Sequence, residues 1–360
     1  MIPPESGFVF NIVWTGSVFP YLRYFVGSQL RHSDARFRFV ANGCPPDQVR
    51  LMEQFAAVHA QQVIEVFVTS ESMERHGTAL DVVLQARDDG DYFCFVDPDI
   101  IAEAPFLGPF AAALDDGCAG VTSGKGIWTD DVTVPRGHPG IPGECFYSAD
   151  GYLFGSPHFA MYRAAAVRAT MARWDVGFGS GGGREIPERT RDALAAAGHE
   201  YWLYDTGKMV NILLQEDGNR LCHFEHAALL HIGGLSHYLS PPEKGGEVLA
   251  ADEEPEQRWP WPAARLEVAR YTASLLRALY EGQPAPEAPS GLESDLAGRL
   301  ERVRRALITL IPPGDLEDRE GGQAPLGRGA RSDAASGPGH PRDASSTTNA
   351  TPPQSMDRYR

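Results

Sequence analysis

The sequence lacks long hydrophobic runs, has few cysteines and carries too few basic residues to balance its acidic ones. No apolar stretch approaches the roughly 20 residues that cross a bilayer, and the first residues, Met1–Glu5, lack the basic region of a signal peptide. The five cysteines form no C-x-x-C pair, which argues against a disulfide framework or a structural zinc site. We therefore expect a cytoplasmic protein without a transmembrane segment.

The charge balance excludes a further class of partner. The chain has 48 acidic and 32 basic residues, for a formal charge of −16. A surface of this sign repels nucleic acid phosphates and anionic lipids, so we expect no nucleic acid partner. With 360 residues, of which 42% are hydrophobic, the chain can bury the core of one large α/β domain.

The hydrophobic pattern of the first hundred residues alternates between strand and helix periods. Apolar and β-branched runs predict strands at residues 8–14, 37–41, 63–68 and 92–96. Helical spacing predicts helices at 19–31, 47–60, 78–87, 163–174, 187–197, 204–217, 261–280 and 291–311. Strands that alternate with helices predict an α/β fold with a doubly wound, mainly parallel sheet and helices on both faces.

Composition divides the chain into three parts. Residues 1–250 carry the alternating pattern and form the expected catalytic domain, and residues 251–311 form a helical extension. Residues 312–360 are rich in Gly, Pro, Ser and Thr and have few large apolar side chains, which predicts a disordered tail.

The clearest chemical signal is a pair of carboxylates, Asp97 and Asp99, directly after the apolar run 92–96. Ligands of open α/β sheets bind beyond the carboxyl ends of the strands. Two carboxylates one residue apart can share a divalent cation, and Mg²⁺ or Mn²⁺ bound by hard oxygen ligands can hold a diphosphate. The alternative interpretation is a solvated acidic turn.

Several segments in order resemble the GT-A glycosyltransferases, especially their inverting family 2-like group. The D-x-D of residues 97–99 resembles that family's metal motif. The other segments that resemble it are Tyr21–Leu30, followed by the strand Phe37–Ala41 with Asn42-Gly43; His76–Asp81; Tyr204–Gly207; and His231–Ser236. The resemblance spans roughly residues 8–240 and implies a GT-A fold.

The resemblance also implies an activity and its participants. It implies a metal-dependent enzyme that moves a sugar from a nucleotide-sugar donor to a small-molecule or glycan acceptor, with inversion at the anomeric carbon. Mn²⁺ or Mg²⁺ is the expected cofactor, and a homo-oligomer is possible. Asp97, Asp99 and His231 are the expected metal ligands.

The expected nucleotide contacts are residues at the ends of the early strands and next to the D-x-D. They are Trp14, Thr15, Asn42, His76 and Asp97.

The catalytic base is expected to be Asp205, which matches the family's acidic motif. Such a base gains from partial burial, because burial raises its pKa towards the working pH. Asp205 would also suit the N-cap of the helix that follows it. Asp150 is the second candidate, together with Glu144 in the same loop.

Other functions use some of the same residues. A phosphohydrolase or phosphotransferase would use Asp97 as nucleophile and Asp99 as acid and base. A sugar nucleotidyltransferase would need an N-terminal Gly-rich loop with Arg and Lys, which the sequence lacks. A catalytically silent protein that keeps the nucleotide pocket is a third alternative.

Overall fold

The computed structural model describes residues 7–179, 181, 186–239 and 263–311. The predicted tail, 312–360, lies outside the described residues, as does much of the segment where the first two predicted parts meet. The strands are β1 (Val9–Thr15), β2 (Arg36–Asn42), β3 (Val63–Ser70), β4 (Tyr92–Val96), β5 (Ile100–Ala102), β6 (Gly120–Ser123), β7 (Gly140–Ile141), β8 (Phe159–Arg163), β9 (Leu203–Tyr204), β10 (Leu221–His223) and β11 (Leu229–His231).

Helices connect these strands and follow them. They are α1 (Phe19–Arg31), α2 (Pro46–Val58), α3 (His76–Ala86), α4 (Leu107–Asp115), α5 (Ala164–Trp174), α6 (Glu188–Ala196), α7 (Lys208–Glu216), α8 (Leu235–Leu239), α9 (Ala263–Glu281) and α10 (Ser294–Leu310).

Seven strands form one mainly parallel sheet in the order β10-β6-β8-β4-β1-β2-β3. Strands β1 to β4 are mutually parallel where they pair, and β10 is parallel to β6. The predicted α/β fold with a mainly parallel, doubly wound sheet is confirmed, and the predicted strands and helices lie within a few residues of their expected bounds.

Hydrophobic side chains cover both faces of this sheet. Alternation along β1 sends Phe10, Ile12 and Trp14 into one apolar cluster and Val13 into another. The first cluster includes side chains of α1, α9 and α10, and the second includes side chains of α3 and α5. The helices therefore lie on both faces, as the sequence predicts, and α9 and α10 share a core with the sheet.

One central strand runs against the others. β8 is antiparallel to both of its neighbours, β4 and β6. Sequence periodicity did not predict β8, because it follows a long stretch rich in Gly, Pro and aromatic residues. Its pairing with β4 places residue 158 opposite residue 97.

Helix α7 begins later than predicted. Residues 203–204 form β9, and Gly207, with a φ of 73°, occupies the N-cap position before Lys208. The expectation that Asp205 caps this helix is therefore wrong.

Two further expectations concern cysteines and membranes. Cys118 and Cys222, which are 104 residues apart in sequence, form a disulfide between the start of β6 and β10. Their spacing did not indicate this pairing, because the two strands become neighbours only in the folded sheet.

Among the described helices, none has the length and apolar character needed to cross a bilayer.

A buried ionic network ties the early strands together. Arg38 on β2 is 3% exposed, and its guanidinium donates to Glu65 at 2.7 Å, to Asp89 at 2.7 and 2.8 Å, and to Asn11 Oδ1 at 2.9 Å. Asn11 in turn donates to the Cys94 carbonyl at 2.9 Å. The network therefore spans β4, β1, β2 and β3.

We predict that Arg38→Ala lowers the free energy of unfolding by about 3 kcal/mol, because it removes the buried donor that binds both oxygens of Asp89 and the amide oxygen of Asn11. The matched control is Arg31→Ala, at the exposed end of α1, for which we expect a change within about 0.5 kcal/mol. Urea unfolding followed by circular dichroism measures both. A loss below about 1 kcal/mol for Arg38→Ala would contradict the importance assigned to this network.

Candidate active site

The D-x-D lies at the carboxyl edge of the parallel strands. Asp97 follows β4, and its backbone N–H donates to the His158 carbonyl at 2.7 Å. Asp99 immediately precedes β5 and is 4% exposed. The predicted position of the two carboxylates beyond a central strand is confirmed.

Three histidines converge on Asp97. His158 Nδ1 lies 3.0 Å from Asp97 Oδ2, His76 Nε2 lies 3.8 Å from Asp97 Oδ1, and His231 Nε2 lies 3.9 Å from Asp97 Oδ2. Ligand atoms of Asp97, His158 and His231 all lie within 4.8 Å of one another, a spacing that suits one metal ion. His158 was not predicted as part of this group, because it arrives through the unpredicted strand β8.

His231 has the hydrogen-bonding pattern of a metal ligand. Its Nδ1 lies 2.6 Å from the Gly124 carbonyl, which only accepts, so Nδ1 carries the proton. Its buried Nε2 lies 3.4 Å from Asp99 Oδ1 and has no partner of hydrogen-bond geometry among the described residues. A lone pair that faces two carboxylates needs a cation between them, either a proton or a metal.

The pKa shifts express the same electrostatic conflict. Burial raises the pKa of Asp97 to about 7, with further repulsion from Asp99 and Asp205 opposed by His76 and His231. Burial also opposes the charged form of His231, but its contact with Asp99 and the two carboxylate charges raise its pKa. Burial, followed by the charge of His231, lowers the pKa of His158 well below its usual value. A bound divalent cation would stabilise both carboxylates in their charged form.

Asp205 lies next to this cluster. Its negative charge acts on the pKa values of Asp97 and His158. Its Oδ2 lies 2.7 Å from the position that a Cβ on Gly143 would take. Its Oδ1 accepts from the Thr206 backbone N–H at 2.7 Å. The expected partial burial is wrong, because Asp205 is exposed.

A second carboxylate, Glu144, lies near Asp205 in a drier environment. Glu144 is 7% exposed, and its Oε1 has no hydrogen-bond partner among the described residues. Burial raises the pKa of Glu144 to about 7, and the charge of Asp205 adds to the increase. The sequence named Glu144 only as an alternative to Asp205, since burial of a loop residue cannot be read from its position.

Lys208 fixes the backbone on both sides of Glu144. This fully buried side chain donates from Nζ to the carbonyls of Gly143 at 3.1 Å, Cys145 at 2.7 Å and Gly155. Burial lowers the pKa of Lys208 to about 8. The ammonium thus holds two loops against α7.

Two of the expected nucleotide contacts have structural roles in the fold. Trp14 is fully buried, and its ring packs against Phe19 and Phe39 at centroid distances of 4.8 and 5.4 Å. Asn42 is also fully buried, and its amide binds the backbone of Glu74 through both atoms, at 2.8 and 2.9 Å. Asn42 therefore positions the segment that leads to His76.

The remaining predicted residues occupy different places. Thr15 is half-buried at the end of β1, close to the edge where Asp97 lies. Asp150 is exposed and accepts a hydrogen bond from Ser148 Oγ at 2.6 Å. The charged side chains that act on Asp150 are Arg136 and His199, neither of which belongs to the cluster around Asp97.

We predict that Glu144→Gln stabilises the folded chain at high pH. Because folding raises the pKa of Glu144 from 4.5 to about 7, the folded wild type loses stability as pH rises through that window. At about pH 8 the gain is at most about 3.5 kcal/mol, since one pKa unit corresponds to about 1.4 kcal/mol. Near pH 4 the difference should vanish.

Urea unfolding at both pH values measures this effect. Glu53→Gln, at an exposed position on α2, is the matched control and should show no such pH dependence. Equal stability of Glu144→Gln and the wild type at high pH would contradict the burial cost assigned to Glu144.

No protein-family model and no curated protein matches this chain. Among solved structures, the chain is similar to S. aureus TarS 1–349 in complex with UDP-GlcNAc, with 14% identity, 85% of this chain and 82% of that chain covered, and a TM-score of 0.39. It is also similar to the mannosyltransferase PcManGT from Pyrobaculum calidifontis in complex with GDP-Man and Mn²⁺, with 12% identity, 90% and 79% covered, and a TM-score of 0.38.

A third similar structure is a putative glucose-1-phosphate thymidylyltransferase from Bacillus anthracis, with 10% identity, 68% and 96% covered, and a TM-score of 0.38. At these values the similarities do not assign a function, and the α/β fold rests on the sheet order of the chain itself.

Proposed function

We propose that the chain is a metal-dependent glycosyltransferase that moves a sugar from a nucleotide-sugar to a small-molecule or glycan acceptor, with inversion at the anomeric carbon. The observation that carries this proposal is the position of His231 Nε2 at the carboxyl edge of the sheet, 3.9 Å from Asp97 Oδ2 and 3.4 Å from Asp99 Oδ1. The GT-A resemblance of the sequence supports the same assignment.

The residues present fit a divalent cation. Asp97, Asp99 and His231 would hold Mn²⁺ or Mg²⁺, and His158 orients Asp97 through its hydrogen bond at 3.0 Å. A bound cation of this kind neutralises the charge that develops on the departing nucleoside diphosphate. His76, at the first turn of α3, and Thr15 border the same edge and are the proposed nucleotide contacts.

Asp205 is the proposed general base. Its carboxylate takes the proton of the acceptor hydroxyl as the acceptor oxygen forms a bond to the anomeric carbon. The bond between that carbon and the diphosphate oxygen breaks, and its electron pair leaves with the nucleoside diphosphate. Exposure of Asp205 beside the cluster leaves it accessible to an acceptor that approaches from solvent.

The alternative of an aspartate-dependent phosphohydrolase is less compatible with these contacts. Asp99 would act there as acid and base on a phosphate ester. It is instead 4% exposed, and its two oxygens face the Leu235 N–H at 3.3 Å and His231 Nε2 at 3.4 Å. One oxygen is therefore held by the backbone, and the other faces His231, which shares the proposed metal site.

We predict that Asp99→Asn abolishes metal-dependent stabilisation by nucleoside diphosphates. In the wild type, one nucleotide of a panel should raise the melting temperature when Mn²⁺ or Mg²⁺ is present. At a hundredfold excess over its dissociation constant, the bound nucleotide should add about 2.7 kcal/mol to the free energy of unfolding. Thermal-shift measurements with and without metal test this. The control is Asp115→Asn, at the exposed end of α4, which should respond like the wild type.

A wild type that responds to no nucleotide with either metal would refute the glycosyltransferase proposal, and phosphate release from simple esters would then be measured. Binding without turnover on any acceptor would instead support a catalytically silent protein.

We predict that Asp205→Asn lowers the transfer rate at least about a hundredfold, because it removes the general base. Release of nucleoside diphosphate with a pool of acceptors measures the rate, and binding of the nucleotide should be unchanged. Asp150→Asn, at another exposed carboxylate, is the matched control and should keep at least half of the wild-type rate. An Asp205→Asn variant with wild-type turnover would remove Asp205 as the base and leave Glu144 as the next residue to replace.

A further inference from the structure

Outside the carboxylate cluster, the exposed side chain of Glu225 is held by an unusual number of hydrogen bonds. Its Oε2 accepts from the backbone N–H groups of Gly124 at 3.2 Å and Lys125 at 3.0 Å, and its Oε1 also lies 3.0 Å from the Lys125 nitrogen. Ser123 Oγ donates to Oε2 at 3.4 Å. Glu225, two residues after β10, thus fixes the turn that follows β6, although ordering an exposed side chain costs rotamer freedom.

The turn matters because its backbone binds an imidazole of the site. The carbonyl oxygen of Gly124 lies 2.6 Å from His231 Nδ1. Gly124 is buried and has a φ of 108°, a backbone conformation that other residues rarely adopt. The direction of this carbonyl therefore depends on a conformation that the hydrogen bonds of Glu225 hold in place.

A single peptide group joins the carboxylate to the imidazole. The Lys125 N–H, which Glu225 accepts, and the Gly124 carbonyl, which His231 binds, belong to the same planar unit and point in opposite directions. Hydrogen bonds in such a chain polarise one another, so the contact with Glu225 makes the carbonyl a better acceptor. A proton held at Nδ1 of His231 leaves the lone pair at Nε2, which faces the two carboxylates of the D-x-D at 3.9 and 3.4 Å.

A second path leads from Glu225 to the other imidazole beside the D-x-D. His223 Nε2 lies 3.1 Å from Glu225 Oε1, and its Nδ1 lies 2.9 Å from Thr122 Oγ1. The same Thr122 oxygen accepts from the Ser156 N–H at 3.1 Å, and Ser156 Oγ accepts from the His158 N–H at 3.2 Å. Thr122 and Ser156 are buried, so this path runs through the protein interior.

We infer that Glu225 is a positioning residue of the proposed metal site, which fixes the peptide between residues 124 and 125 so that His231 presents Nε2 to a divalent cation. The inference rests on the metal site of the proposed function and extends it to the loop after β10. Glu225 acts through the peptide group and is not itself a ligand. Loss of a hydrogen bond behind a metal-binding histidine typically lowers metal affinity by about ten- to a hundredfold.

The test measures binding of Mn²⁺ alone to the full chain, by electron paramagnetic resonance of the free ion. For Glu225→Ala we expect the affinity to fall at least about tenfold. Glu225→Gln should bind within about threefold of the wild type, because its amide oxygen still accepts from the two backbone N–H groups. If Glu225 acted only by its charge, both variants would lose the same affinity, since both lack that charge.

Controls separate positioning from a general effect on the fold. Glu225 is exposed, so we expect both variants to keep the far-ultraviolet circular dichroism of the wild type. Glu267→Ala, which removes an exposed glutamate of α9, should bind Mn²⁺ within about twofold of the wild type. At saturating Mn²⁺, electron spin echo modulation from the nitrogen of a bound imidazole should be weaker in Glu225→Ala and in the reference variant His231→Asn than in the wild type.

The outcomes distinguish this inference from the proposed function. A wild type that binds Mn²⁺, together with a Glu225→Ala variant of equal affinity or equal nitrogen modulation, overturns only the inference. Equal losses in Glu225→Ala and Glu225→Gln also overturn it. A wild type that binds no Mn²⁺ without nucleotide overturns it as well, and the thermal-shift response to nucleotides then decides the proposed function by itself. If the expected Mn²⁺ results are found but no nucleotide stabilises the chain, the inference stands and the proposed function fails.

Discussion

The site is organised around two carboxylates held in a place that disfavours their charge. Asp97 and Asp99 follow the buried strand β4. Burial raises the pKa of Asp97 to about 7, whereas at Asp99 the opposing effect of burial is outweighed by the contact and charge of His231 and by the Leu235 N–H, which lower its pKa. Burial of an unpaired carboxylate is costly, so the surrounding chain has to supply positive charge and hydrogen bonds. Histidines from three separate elements do so, since His76 begins α3, His158 precedes β8 and His231 ends β11.

Two antiparallel pairings bring those histidines to the carboxylates. β8 runs against β4, and the register that pairs Val96 with Phe159 continues to place His158 beside Asp97. β11 runs against β5 and pairs His231 with Ile100, directly after Asp99. The parallel strands thus position the carboxylates, and the antiparallel strands position the imidazoles that face them.

The difference between local and long-range information explains what the sequence could predict. The strands and helices of residues 8–96 were readable because each has its own hydrophobic period, and the D-x-D was readable because it follows such a strand. The disulfide between Cys118 and Cys222 could not be read from the sequence, and neither could the position of His158 beside Asp97. Both depend on pairing between strands that are distant in the sequence. Side-chain roles were also hidden, since Asn42 and Trp14 lie where nucleotide contacts are expected but their side chains are used by the core.

Helices α9 and α10 connect the fold to the chemistry. Val268 and Leu275 of α9, and Val303 of α10, are fully buried in the same cluster as Phe10 and Ile12 of β1, so the helices are held against the sheet by apolar packing. That packing fixes the first turn of α9, and with it the cation–π contact of Arg265 with Trp128. A cation is thereby brought to an acidic edge of the sheet by residues far along the chain.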